Sequence, residues 1–217
     1  MSKKVMKRDS LKERKEKINN KLLRNEFPSD NKWGIPKLAK ANIEVSDVKL
    51  MGFDRIGRTV LGNEDKVIHF FLDDSKFNCV YDKPENSLKK LARFKAVLTP
   101  DFSLYMDMPP AIQINNVFKN RWCGAYWQDY GFTVIPTIGW SNEQSFEYCF
   151  LGIERRSTVA VSTVGNRRSK DDFMKGYDAM FERINPSIVL CYGKPFQEMR
   201  GDVVYISYLD STGRCCA

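Results

Sequence analysis

Four residues carry the chemistry most readily proposed for this chain: Asp73, Asp74, Asp101 and Ser103. Each follows an apolar run. Phe70-Phe71-Leu72 leads into Asp73-Asp74, and Ala96–Thr99 leads through Pro100 into Asp101-Phe102-Ser103, with Asp107 shortly after. Carboxylates at strand ends can hold Mg²⁺ or move a proton as acid and base. They also cap turns, because Asp and Ser satisfy free backbone N–H groups. Both readings stay open at this level.

Cations follow the later runs. Ser162-Thr163-Val164-Gly165-Asn166-Arg167-Arg168-Ser169 is a glycine-containing turn ahead of a helical pattern. Such a turn presents N–H groups and the positive end of a helix dipole, which suit phosphate. Arg167 and Arg168 add planar donors. Tyr192 and Lys194 close the next run, and Trp140 closes the run before. An aromatic at a strand mouth either stacks a base or sugar or lids the core. No Walker pattern or dinucleotide fingerprint is present. We expect Asp73, Asp74, Asp101 and Ser103 as catalytic candidates. Trp140, Ser162, Asn166, Arg167, Arg168, Tyr192 and Lys194 are the binding candidates. Mg²⁺ is the one cofactor this pattern suggests, with no dedicated metal-ligand cluster.

The elements that must carry these residues follow from the periodicity. Val67–Leu72, Ala96–Thr99, Phe132–Ile138, Thr158–Thr163, Ile188–Cys191 and Val203–Ile206 are short apolar runs rich in β-branched residues, as strands are. Most are continuously apolar, as strands buried on both faces are. Between them, Pro84–Phe94, Pro109–Tyr130, Asn142–Ile153 and Lys170–Ile184 read as helices. Strand starts recur at intervals of about 30 residues, the length of a βα unit. The fold expected is α/β, a mostly parallel sheet of repeated βα units. It is either an incomplete (βα) barrel or an open doubly wound sheet. Both put a site at the carboxyl ends of the strands.

Residues 1–27 read as a basic tail or helix, 28–60 as a loop-rich segment, 61–210 as the α/β domain and 211–217 as a C-terminal tail. Residues 1–24 hold ten Lys or Arg against three Asp or Glu, leaving a net charge of +1 out of +8 for the remaining 193 residues. The basic isoelectric point therefore belongs to the tail, and a basic stripe on a folded face is not implied. Within the tail, Ser10 and Glu13 have capping-box spacing ahead of a helix over Leu11–Phe27.

No apolar stretch has signal-peptide or membrane-span character. The six cysteines show no zinc spacing. Cys79, Cys123, Cys149 and Cys191 sit among apolar residues, as buried reduced thiols do. A cytoplasmic setting is expected. The single histidine, His69, lies inside an apolar run and reads as a core residue, which removes most histidine-based triads and metal sites. Phe118, Trp122 and Tyr126 form one helix face that packs on the sheet.

Several motifs recur in order: Phe70-Phe71-Leu72-Asp73-Asp74, Thr99-Pro100-Asp101-Phe102-Ser103-Leu104-Tyr105, Arg121-Trp122-Cys123-Gly124-Ala125-Tyr126-Trp127, Val134-Ile135-Pro136-Thr137-Ile138-Gly139-Trp140 and Val159-Ala160-Val161-Ser162-Thr163-Val164-Gly165. Together they resemble domain-of-unknown-function family 4417, found in bacterial chromosomes, phages and mobile elements. The resemblance spans roughly residues 45–208. It implies a bacterial or phage cytoplasmic protein and brings no catalytic assignment. Two functions are expected from the residues and this setting. The first is a binding or processing protein for a phosphate-bearing ligand, nucleic acid or nucleotide. The second is a non-catalytic interaction protein that engages a host or phage protein through the basic tail.

Overall fold

Short β-branched runs separated by helical patterns become seven parallel strands in a computed structural model, which describes residues 22–41, 43–45, 48–57 and 62–208. The strands are β1 (Leu50–Gly52), β2 (Val67–His69), β3 (Ala96–Leu98), β4 (Val134–Ile135), β5 (Thr158–Ser162), β6 (Ile188–Tyr192) and β7 (Val203–Ile206). The helices are α1 (Cys79–Asp82), α2 (Glu85–Leu91), α3 (Pro110–Asp129), α4 (Phe146–Cys149) and α5 (Lys170–Ile184). β1 lies in the segment read as loop-rich.

Strands β1 to β4 form one ladder and β5 to β7 another, every pair parallel. A parallel bridge between Thr137 and Ala160 joins the two. There Ile138 N–H donates to Ala160 and Ala160 N–H donates to Pro136, both at 2.8 Å. Strand order is thus chain order throughout. A doubly wound sheet needs a reversal of order, and none occurs here.

The sheet also curls. Leu50, Val67, Leu98, Ile135, Ala160, Leu190 and Ile206, one from each strand, share a single buried cluster. In a flat sheet β2 and β6 would stand about 19 Å apart. Yet the Phe71 ring, just past β2, stacks on Tyr192 of β6 at 4.7 Å between centroids. Of the two expected arrangements, the unclosed barrel is the one observed. No ladder joins β7 to β1 among the described residues.

Alternate residues face outward and meet the helices. Ile68, Val97 and Val134 pack with Val80, Leu91, Trp122 and Trp127. Val159, Val161, Val189 and Cys191 pack with Val117, Cys149, Phe173, Tyr177 and Met180. Phe118, Trp122 and Tyr126 belong to these helix–sheet clusters as expected. Trp122 also takes the Arg24 guanidinium over its ring at 4.0 Å.

Two helices and one cysteine depart from expectation. The helix foreseen over Leu11–Phe27 falls mostly outside the described residues, and the chain is not helical from Arg24 to Phe27. The helix foreseen over Asn142–Ile153 is a 3-10 turn at Glu143–Ser145 followed by the single turn α4. Cys79 is exposed, whereas Cys123, Cys149 and Cys191 are buried. Burial pushes the Cys149 thiol up to about 12 and the Cys191 thiol up to about 11, so these are inert thiols. Cys215 and Cys216 lie outside the described residues.

Candidate functional site

The carboxyl ends of the central strands open into a cleft of about 520 Å³. Asp101, Ser103, Trp140, Ser162, Asn166 and Tyr192 all line it. These six were expected from sequence at four separate strand ends. The lining also includes Phe71, Leu104, Tyr105, Met106, Ser141, Asp172, Phe173 and Tyr208.

The loop after β3 carries Asp101, and α3 holds that loop. Gln113, Asn116 and Asn120 fall on one helical face by spacing. The Asn120 side-chain amide donates to the Pro100 carbonyl at 2.8 Å, and that of Asn116 to the Ser103 carbonyl at 2.8 Å. Gln113 donates to the Met108 and Tyr105 carbonyls at 2.8 and 3.2 Å. Three buried amides thus fix nine residues of loop that form no ladder of their own. Arg121 completes the face. Its buried guanidinium donates to the carbonyls of Leu151, Thr137 and Cys149 at 3.0, 3.1 and 2.8 Å. That ties the exit of β4 to the end of α4.

Asp101 itself receives no hydrogen bond among the described residues. Its Oδ1 lies beside Gly139, where an added methyl would stand 3.7 Å away. Burial, with a smaller push from the Asp74 charge, raises its carboxyl to about 7. A carboxyl near neutrality at the floor of a cleft is suited to take or give a proton.

The other two aspartates do different work. Asp73 caps the turn at Asp74–Lys76 by accepting the Ser75 N–H at 2.9 Å. The Ser75 hydroxyl and N–H hold its carboxyl below the usual range. Asp73 is exposed and outside the lining. Asp74 accepts from Ser103, through the hydroxyl at 3.0 Å and the N–H at 3.2 Å. Capping, one of the two readings left open, is therefore what Asp73 does. No group of three His, Cys, Asp or Glu that could hold a metal ion occurs among the described residues.

Trp140 forms a wall of the cleft against Phe173, with ring centroids 5.0 Å apart. Gly176 makes room for it. A methyl there would lie 2.1 Å from Trp140 Nε1, so α5 carries a glycine where the indole crosses it.

The cations do not reach the cleft. Arg167 donates to the Lys194 carbonyl at 2.8 Å and lies over the Phe196 ring at 5.0 Å. Arg168 and Lys194 are exposed and outside the lining. The mouth expected to be acidic on one side and basic on the other is not formed. Its charged lining is Asp101 and Asp172, with no lysine or arginine. The turn is closed on itself: Asn166 Nδ2 donates to the Ser162 carbonyl at 3.1 Å and Val164 N–H to the Ser162 hydroxyl at 3.2 Å. Ser169, the last residue before α5, makes no side-chain cap bond.

His69 is buried, as expected of a histidine in an apolar run. Its Nδ1 accepts the Phe71 N–H at 3.2 Å, and burial lowers it to about 4. It is a neutral imidazole that ends β2.

Comparison with known proteins places this geometry in a lineage. The family model described as Domain of unknown function (DUF4417) matches residues 27–210. The chain belongs to this family. Two curated relatives are both called gene 1 protein, from Mycobacterium phages D29 and L5. Each is 39% identical over 175 residues, covering 79% of this chain. The match spans 64% of the D29 protein and 76% of the L5 protein, so the chain accounts for less than two thirds of the first. No solved structure matches the chain. The family thus gives the chain phage-type relatives, and the residues of the cleft must supply the chemistry. No helix among the described residues is long and apolar enough to cross a membrane.

Proposed function

We propose that the cleft binds a base-bearing phosphate ligand, a nucleotide or single-stranded nucleic acid, with the base inside and the phosphates outward. The observation that carries this reading is the pairing of aromatic walls with a carboxyl near neutrality and no cation in the lining. Bases stack on aromatic rings whatever their identity. A carboxyl that is protonated about half the time at pH 7 can present either a donor or an acceptor to a base edge. A floor without fixed positive charge favours a base over a phosphate. The exposed Arg167 and Arg168 flank the rim on the turn that contributes Val164 and Asn166. There they meet phosphates still in contact with water. If the ligand is also processed, Asp101 is the group to act as acid or base.

Equilibrium binding of AMP, CMP, GMP and UMP, followed by tryptophan fluorescence and thermal shift, tests this reading. Binding is expected, and Trp140→Ala or Asp101→Asn should weaken it about tenfold or more. Absence of any shift with all four overturns it. In the alternative, residues 1–24 engage a host or phage protein and the cleft is structural. Deleting those residues then abolishes partner capture and leaves nucleotide binding at zero.

A further inference from the structure

A second depression adjoins the first. It measures about 360 Å³ and is lined by Met106, Ser141, Asn142, Glu143, Gln144, Phe146, Asp172 and Lys175. Met106, Ser141 and Asp172 belong to both linings, so the two are lobes of one groove joined at a waist. Each exceeds the roughly 300 Å³ at which ligand pockets begin.

The waist is built unequally. Ser141 is fixed, because its hydroxyl donates to the buried side chain of Gln113, which Tyr148 also bonds at 3.1 Å. Met106, which also belongs to both linings, is 61% exposed, and methionine adapts its shape to what lies against it. The second lobe offers the Phe146 ring, the amides of Asn142 and Gln144, and one cation. Lys175 stands 3.7 Å from Asp172 and 3.9 Å from Glu143, with all three side chains more than half exposed. Such long, exposed pairs hold little energy, and the ammonium is available to a ligand atom entering the lobe.

Resting on the reading of the first lobe as a base site, we propose that the substrate class is single-stranded nucleic acid. The second lobe takes the base next along the strand. The backbone crosses the waist over Met106, and Lys175 meets the phosphate or base edge beyond it. A groove that continues past its first occupant, with an aromatic ring and polar side chains in each lobe, suits a polymer.

Fluorescence anisotropy with 5′-labelled mononucleotide, dinucleotide and tetranucleotide DNA and RNA decides the matter. The dinucleotide should bind about ten- to a hundredfold more tightly than the mononucleotide, the gain from one further stacked base. A Gln144→Ala, Lys175→Ala double variant changes two exposed positions away from the first lobe. It should remove most of that gain and leave mononucleotide affinity unchanged. Equal affinities for mononucleotide and dinucleotide overturn the inference while the base site stands. Binding of neither overturns both. A length gain untouched by the double variant also overturns it, because the second base then lies elsewhere. Preferential binding of a labelled arginine-rich peptide, lost in the same variant, assigns the lobe to a protein partner and overturns it as well.

Discussion

The Ser103 hydroxyl donates to Asp74 Oδ1 at 3.0 Å, and the Ser103 N–H donates to the same oxygen at 3.2 Å. Two strand ends 29 residues apart in sequence are thereby pinned together beside Asp101. Hydrogen bonds to a charged acceptor are worth about 1.5–3 kcal/mol each when shielded and less when water reaches them. Asp74→Ala is expected to cost about 1–2 kcal/mol, with Ser103→Ala costing less because its N–H bond survives. Urea denaturation of both variants and the double mutant measures the coupling. Strict additivity of the two losses would contradict a direct bond.

The Asp101 carboxyl titrates at 3.8 in its ordinary state and at about 7 in the fold. Between those values the folded chain holds more protons than the unfolded one, so this group's contribution falls as pH rises. It is fully present below the lower value and stops changing above the upper one. Asp101→Asn removes the dependence. The variant should therefore gain on the wild type between about pH 4 and pH 7, by about 2–4 °C in melting temperature for each kcal/mol recovered. Calorimetric scans across that range report it. A wild-type curve that parallels the variant at every pH would show that Asp101 ionises normally.

Gly176→Ala tests the indole wall. The added methyl would sit 2.1 Å from Trp140 Nε1, so the ring must swing toward the cleft or the helix must move. Overpacking of this kind costs about 1–3 kcal/mol. Nucleotide affinity should fall with it, and the tryptophan emission should shift. Preserved emission and affinity would mean that the ring has another rotamer free of the cleft.

Much of the scaffold was legible because period and punctuation agree. Helix α5 spans Lys170–Ile184 as its apolar spacing indicates, and it ends at Asn185 in the left-handed region at φ 46°. Strand β7 spans Val203–Ile206 as read. Other runs were cut short by groups from elsewhere in the fold. The Val67–Leu72 run stops as a strand at His69, whose ring takes the Phe71 N–H. In Phe132–Ile138 only Val134–Ile135 joins β3, because Pro136 has no N–H to give and its carbonyl turns to Ala160 instead. The Asn142–Ile153 helix fails where Arg121 claims the carbonyls of Cys149 and Leu151.

The same distinction runs through the site. Asp101, Ser103, Trp140, Ser162, Asn166 and Tyr192 were found because a residue at the end of a buried parallel strand has one place to go. Where Arg167, Arg168 and Lys194 would point was not legible, since a long side chain chooses among acceptors that only the fold supplies. Arg167 settles on a carbonyl and an aromatic ring rather than on the cleft. The lining role of Asp172 and the Gln113–Asn116–Asn120 face carry no signal of this kind, because polar residues inside a helix look the same in sequence whether they face a loop, a cleft or water.

The sequential order of the strands bears on how the molecule is made. Each new strand finds its partner already in place at the growing edge of the sheet, and none has to be inserted between two that have paired. A chain emerging from its amino end can therefore lay down the barrel one strand at a time. Among the described residues no ladder joins β7 back to β1, so both edges stay open while the strands between them pair.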